Sequence, residues 1–244
     1  MQTQSDTPRT ILRPAEERGM ADHGWLRSAH SFSFASYHDP RHMGFEALRV
    51  INDDEVAGGA GFPMHPHADF EIFSYVLDGA LEHKDSLGNG SVVRAGGVQY
   101  MTAGTGVTHS EFNPSEDEKV RFLQIWLLPK ERGAEPGYQT LDVAPEEKDG
   151  RLALIISADG REGSINTLAP AEVYAATLDG DQETSFSLRK GRRAWVQVAR
   201  GEVTVNGETL RRGDGLAVLE PGEIVLSDGH DAEVLLFDLE RLSS

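Results

Sequence analysis

The sequence predicts an all-β protein made of two related barrels, and three observations carry that expectation. Short apolar runs recur along the chain with glycine in nearly every gap, and the chain holds 26 glycines and 11 prolines; such spacing describes strands joined by turns. A length of 244 residues exceeds what one ordinary core requires and suits two domains of about 100 to 120 residues each. The third observation is an internal repeat. Residues 65–79 align without gaps on residues 187–201, so that Tyr75-Val76-Leu77-Asp78-Gly79-Ala80 faces Gln197-Val198-Ala199-Arg200-Gly201-Glu202. A few residues on, Arg94-Ala95-Gly96-Gly97 parallels Arg211-Arg212-Gly213-Asp214, and each precedes a short apolar strand, as two copies of one plan would.

Taken in order, the leader up to Glu17 is polar and lacks the apolar stretch of a secretion signal. No later apolar run is long enough to cross a bilayer, so the chain reads as cytoplasmic, with no membrane partner. Residues 31–37 alternate phenylalanine with small polar residues, and 47–51 form a second apolar run ending at Asn52, Asp53 and Asp54; both are expected strands. The β-branched and aromatic run 71–77 stops at Asp78-Gly79, and further strands are expected at 91–94, 98–102 and 120–128. Beyond 128 the composition shifts to Pro129, Gly133, Pro136, Gly137, Pro145 and clustered Glu and Lys. The N-terminal domain is accordingly set at 1–130, an interdomain connection at 131–150 and the C-terminal domain at 151–244, with strands resuming at 152–157.

Composition narrows the function classes. Acidic residues outnumber basic ones 40 to 23, for a net charge of -17, and such a surface repels phosphate backbones, so no direct nucleic-acid contact is expected. The chain has no cysteine, which excludes disulfides, thiolate zinc sites and thiol nucleophiles and suits a reducing compartment.

The chemistry-bearing residues form two short motifs. In His65-Pro66-His67 the two imidazoles stand two residues apart, and in an extended backbone such positions share one face. Pro66 has no N–H, which places the motif at a strand start or an edge. His109-Ser110-Glu111 repeats the spacing after a glycine-rich turn and adds a carboxylate. Four metal ligands from two strands result, His65, His67, His109 and Glu111. Glu71, four residues after His67, is a rival carboxylate. In the second half the positions aligned with His65, His67 and Glu71 are Ser187, Arg189 and Arg193, and guanidinium groups do not ligate cations. His230, flanked by Asp228, Gly229 and Asp231, reads as a surface turn residue.

The segments 61–71 and 97–113 that carry these motifs resemble the two cupin motifs. Within the cupins the chain is most similar to the pirin family, through His23-Gly24-Trp25-Leu26, Ser31-Phe32-Ser33-Phe34, Asp39-Pro40 with His42-Met43-Gly44-Phe45, Leu48-Arg49-Val50-Ile51-Asn52-Asp53 and Met101-Thr102-Ala103-Gly104. The resemblance is strong over residues 8–130 and fits the family's bicupin plan in outline beyond them. It implies two jelly-roll barrels facing each other, with one iron in the first, held by His65, His67, His109 and Glu111; it favours Glu111 over Glu71. The second domain is then a degenerate cupin without ligands.

Imidazole and carboxylate donors without thiolates suit Fe(II), with Mn, Ni, Zn or Cu as other occupants. Pirins resembling this chain act as quercetin 2,3-dioxygenases, which open the central flavonol ring and release carbon monoxide. The resemblance therefore implies a flavonol-like aromatic substrate and dioxygen as partners, with Glu111 as the catalytic base for a substrate hydroxyl. Phe45, Phe62, Phe73 and Phe112 are candidates for an apolar pocket, with Phe73 read as packing off the metal face. Eukaryotic pirins, which act as transcription cofactors, suggest the alternative of a non-catalytic, redox-responsive iron protein with a protein partner. A metal-dependent isomerase or hydrolase of the wider cupin group is a third reading.

Overall fold

The apolar run 71–77 becomes the strand Glu71–Asp78, every residue of which is buried except the last. In the computed structural model, which describes residues 8–242, it lies within an antiparallel sheet. The strand order is Gly137–Asp142, Gly97–Thr102, Glu71–Asp78, Val120–Leu127, Leu48–Val56, Leu26–His30 and Gly19–Asp22. A second sheet runs Gly61–His67, Val107–Phe112, Ala80–Asp85 and Gly90–Arg94. Val56, Val76 and Phe122 of the first sheet pack with Leu81 and Val93 of the second in one buried cluster. Each such side chain contributes about 1.5–3 kcal/mol on leaving water, and this holds the sheets together. The ends of the chain outside the described residues are the first seven residues of the polar leader and the last two of the C-terminal domain.

The remaining strands follow the order Thr10–Arg13, Gly215–Val218, Arg192–Val205, Gly222–Glu240, Ala171–Gly180 and Ala153–Ser157. Thr184–Leu188 pairs with Gly222–Glu240, and Glu208–Arg211 with Arg192–Val205. They enclose a core of their own, including Val196, Val198, Leu210, Leu216, Ile224 and Leu236.

The internal repeat is visible in individual hydrogen bonds. The Ala95 N–H donates to the Gly79 carbonyl at 3.1 Å and the Gly96 N–H to Val76 at 2.9 Å. At the aligned positions the Arg212 N–H donates to Gly201 and the Gly213 N–H to Val198, both at 2.8 Å. Gly79 and Gly201 have φ of 72° and 63°, and at Gly201 a Cβ would stand 2.1 Å from the His230 carbonyl oxygen. No side chain fits there.

Three expectations differ from what is observed. Residues 31–37 form no strand: they are turns around an isolated Phe34–Tyr37 bridge, with Ala35 at φ 49°. The second strand does not end at Asn52 but runs to Val56, because its polar residues are paired inside the fold. Asn52 bonds His30 at 2.8 Å, and Asp53 accepts a two-pronged bond from Arg121 at 2.8 and 3.0 Å. The unit boundaries also differ from 1–130, 131–150 and 151–244. Of the described residues, one compact unit holds Arg18–Ala144 with Ser157–Pro170; the other holds 8–17, Pro145–Ile156 and 171–242. Within 131–150, Gly137–Asp142 pairs with Gly97–Thr102, and Thr10–Arg13 pairs with Gly215–Val218. Strand pairing joins residues far apart in sequence, so composition does not reveal which sheet a segment completes.

Candidate metal centre

Gly61–His67 and Val107–Phe112 are antiparallel neighbours, which brings the two motifs together: His109 stands opposite His65, and Val107 opposite His67. Gly61–His67 is an edge strand, where the missing N–H of Pro66 leaves no ladder bond unmade. The turns next to the two histidine strands are tied to each other. The Asp69 N–H donates to the Gly104 carbonyl at 2.9 Å, and a Cβ on Gly104 (φ 44°) would stand 2.1 Å from the Ala134 carbonyl oxygen. A glycine is required at this point.

The three imidazoles converge. Ring centroids are 4.8 Å apart for His65 and His67, 4.5 Å for His65 and His109, and 5.0 Å for His67 and His109. One nitrogen from each lies within 4.8 Å of the others, a grouping unique among the described residues. The Nε2 atoms of His67 and His109 are buried without a hydrogen-bond partner, a costly arrangement for polar atoms unless something accepts their lone pairs. The Nδ1 of His65 lies 2.8 Å from the Pro63 carbonyl oxygen. A carbonyl only accepts, so Nδ1 carries the proton and Nε2 keeps its lone pair. Burial, reinforced by His109 and His65, pushes His67 down to about 4; burial, with His65 and His83, pushes His109 down to about 3. Both rings are neutral near pH 7, the form that ligates. These donors fit a divalent cation.

Glu111 is buried, and its carboxylate reaches across the barrel to polar side chains of the larger sheet. Oε1 accepts from Ser74 Oγ at 3.0 Å and Gln99 Nε2 at 2.5 Å; Oε2 accepts from Gln124 Nε2 at 2.8 Å. The close grouping of ligand atoms contains the three histidines and not this carboxylate. Glu71 is directed elsewhere. It accepts from Tyr100 Oη at 2.5 Å and Thr102 Oγ1 at 3.0 Å, and from the Leu168 N–H at 3.4 Å. Ser74, which bonds Glu111, has the opposite strand parity, so Glu71 faces away from it. The even spacing from His67 carries no parity information, because Asp69 (φ 56°) breaks the backbone between two different sheets.

A groove of about 510 Å3 beside the triad is lined by Pro66, His67, Ala68, Ser86, Val107 and Thr108. Behind His109 only about 10 Å3 of free space remains. None of Phe45, Phe62, Phe73 and Phe112 lines it. Phe62 packs on Trp25 at 5.3 Å, and Phe73 is stacked on Tyr100 at 6.0 Å, off the metal face. Phe62 is also tilted against His65 at 6.5 Å, and Trp126 stands edge-on to His67 at 4.8 Å and is itself packed on Phe70. Sequence reasoning missed Trp126, and it missed Gln99 and Gln124, which carry no motif. It also passed over His83-Lys84-Asp85, whose two-residue spacing in a strand was a legible signal.

Residues 12–127 match the family model described as pirin, and residues 154–239 match the one described as quercetinase C-terminal cupin domain. The chain is 47% identical over 228 residues to the quercetin 2,3-dioxygenase of Escherichia coli K12, covering 93% of this chain and 97% of that one. This chain belongs to the pirin family. A pirin-like protein of Caulobacter vibrioides is 41% identical over 93% of this chain and 97% of its own. The crystal structure of the bacterial pirin YhhW from Escherichia coli in complex with nickel(II) superposes with a TM-score of 0.91 at 46% identity, covering 96% of this chain and all of that one. The pirin bicupin plan thus holds, and its second cupin has no counterpart of the triad. Ser187 donates to Glu223 at 2.6 Å, and Arg189 and Arg192 pair with the buried Asp238 at 3.5 and 2.7 Å. His230 is exposed, within a bent strand between Asp228 (φ 50°) and Asp231 (φ 47°) rather than in a closing turn.

Proposed function

We propose that this pirin is an iron-dependent dioxygenase acting on flavonols such as quercetin, opening the central ring with release of carbon monoxide. The observation that carries the reading is the triad of converging imidazoles, two with orphaned Nε2 atoms, beside an open groove. The relative named quercetin 2,3-dioxygenase, 47% identical, supplies the substrate class. His65, His67 and His109 would hold the ion and Glu111 would be its fourth ligand, since Oε2 has one hydrogen bond where Oε1 has two. Fe(II) in such a site supplies one-electron chemistry with dioxygen. The groove volume of about 510 Å3 falls within the roughly 300–1,000 Å3 usual for small-molecule sites. Its apolar floor of Pro66, Ala68 and Val107 suits a flat aromatic ring, and the Ser86 and Thr108 hydroxyls suit its polar rim. Glu111, oriented by Ser74, Gln99 and Gln124, is the group that would accept the proton of the substrate hydroxyl.

The test is aerobic incubation of iron-loaded protein with quercetin, following oxygen uptake and carbon monoxide. Turnover is expected, with Glu111→Gln lowering kcat by about 100-fold or more, in the range of a lost acid–base group. Fully iron-loaded protein that leaves both quercetin and oxygen untouched would overturn the reading. It would favour the non-catalytic, redox-responsive iron protein acting through a protein partner.

A further inference from the structure

A buried chain of hydrogen bonds leads from His109 away from the metal position. His109 Nδ1 lies 3.4 Å from His83 Nδ1, and His83 Nε2 lies 3.2 Å from Asp85 Oδ2. The side chains of His83 and Asp85 are 1% and 0% exposed. Tyr138 stacks on His83 at 4.1 Å with ring planes 10° apart, which fixes the plane of the imidazole. Asp85 also accepts from the Leu87 and Asn89 backbone N–H groups through Oδ1 and from Asn89 Nδ2 through Oδ2, each at 2.9 Å.

Hydrogen-bond direction along this chain is determined from its far end. An ionised carboxylate only accepts, so His83 carries its proton on Nε2. In a ring carrying that single proton, His83 Nδ1 is the acceptor and His109 donates from Nδ1. His109 Nε2 is left unprotonated, and this is the atom that is buried without a partner. We propose that His83 and Asp85 are positioning residues that fix the metal-ligating tautomer and the ring orientation of His109. The inference rests on the reading of His109 as a ligand and extends it to two residues that touch neither the metal position nor the groove. Partners of this kind change metal affinity by about 10- to 100-fold when removed.

The test is Asp85→Asn. Its amide orientation is pinned, because the two backbone N–H groups at Leu87 and Asn89 require an oxygen at the Oδ1 position. The amide NH2 therefore faces His83 Nε2 and donates to it, which moves the His83 proton to Nδ1 and the His109 proton to Nε2. Nitrogen-15 NMR of metal-free protein reads this directly: His109 Nε2 is expected to be unprotonated in the wild type and protonated in Asp85→Asn. Nickel(II) titration calorimetry is expected to show affinity lowered by about 10- to 100-fold, with Asn89→Ala, which removes the second donor to Asp85 Oδ2 but keeps the carboxylate opposite His83, within about twofold of the wild type. Equal nickel affinity in wild type and Asp85→Asn overturns the positioning role alone. A wild-type protein that binds no nickel overturns the metal-site reading as well. Should Asp85→Asn fail to fold, the wild-type spectrum still decides, since a protonated His109 Nε2 there overturns the inference.

Discussion

Asp54 shows how single residues in this barrel respond to what surrounds them. It lies on the same strand face as Asn52 and Val56, and burial, against the hydrogen bond from Ser28, pushes its carboxyl up to about 7, with the charges of Asp53 and Glu111 adding to the shift. Oδ1 is buried with no hydrogen-bond partner. Between the ordinary carboxyl value of 3.8 and about 7, the folded chain binds more protons here than the unfolded chain, so stability falls as pH rises through that window. Asp54→Asn removes the titration. Thermal unfolding is expected to show a higher Tm than wild type at pH 8 and nearly the same Tm at pH 4, with a gain of at most about 4 kcal/mol from a shift of this size. A variant less stable than wild type at pH 8 would contradict the assignment. The Glu111 carboxylate has three donors where Asp54 Oδ1 has none, so one barrel interior holds two acids in opposite hydrogen-bonding circumstances.

The strand Leu48–Val56 makes the corresponding point for elements. Its sequence reads as an apolar run broken by Asn52-Asp53-Asp54, yet the break lies inside a continuous strand, because each polar residue meets a partner on a neighbouring strand. Asp53 pairs with Arg121 on Val120–Leu127 and, at 3.7 Å, with Arg18. Arg121→Met leaves Asp53 buried with the weaker of those contacts, and urea unfolding is expected to show a loss of about 3 kcal/mol, typical when one partner of a buried pair is removed. A loss below about 1 kcal/mol would mean that Arg18 compensates. Strands such as 98–102 and 120–128 were legible to within a residue or so, since each is a short apolar-rich run bounded by turn residues and buried along nearly its whole length. Residues 31–37 misled because their phenylalanines pack into a series of turns, and a period of two describes such packing as well as it describes a strand.

For the whole molecule, the consequence of one metal site in a two-unit chain is unequal stabilisation. A cation that binds the folded state alone adds about 4 kcal/mol at a thousand-fold excess over its Kd. Nickel(II) added to metal-free protein is expected to raise the unfolding temperature of the unit containing Arg18–Ala144, with the transition of the unit from Ala171 onward moving less. Calorimetry of wild type beside a His65→Ala, His67→Ala double variant checks this, and an equal shift in both proteins would place the ion elsewhere. The net charge of -17 bears on the same scale. It leaves cations attracted to the chain in general, so the double variant is the necessary comparison.

The sequence by itself determined the all-β class, the repeat, the convergence of His65, His67 and His109, and the loss of those residues from the second half. All of these depend on local backbone geometry or on residue type: alternation in strands, glycine at left-handed turns, and the two-residue spacing that puts side chains on one face. Tertiary structure alone decided which strands complete which sheet, which carboxylates face the barrel interior, and which groups hold them. Residue spacing alone leaves Glu71 and Glu111 both open, and only the family resemblance favours Glu111. They part because the chain turns at Asp69 into a second sheet, which sends Glu71 to Tyr100 and Thr102 and leaves Glu111 facing Gln99 and Gln124. Strand parity holds only within a strand, and the register between strands that sets these partners is a property of the packed molecule.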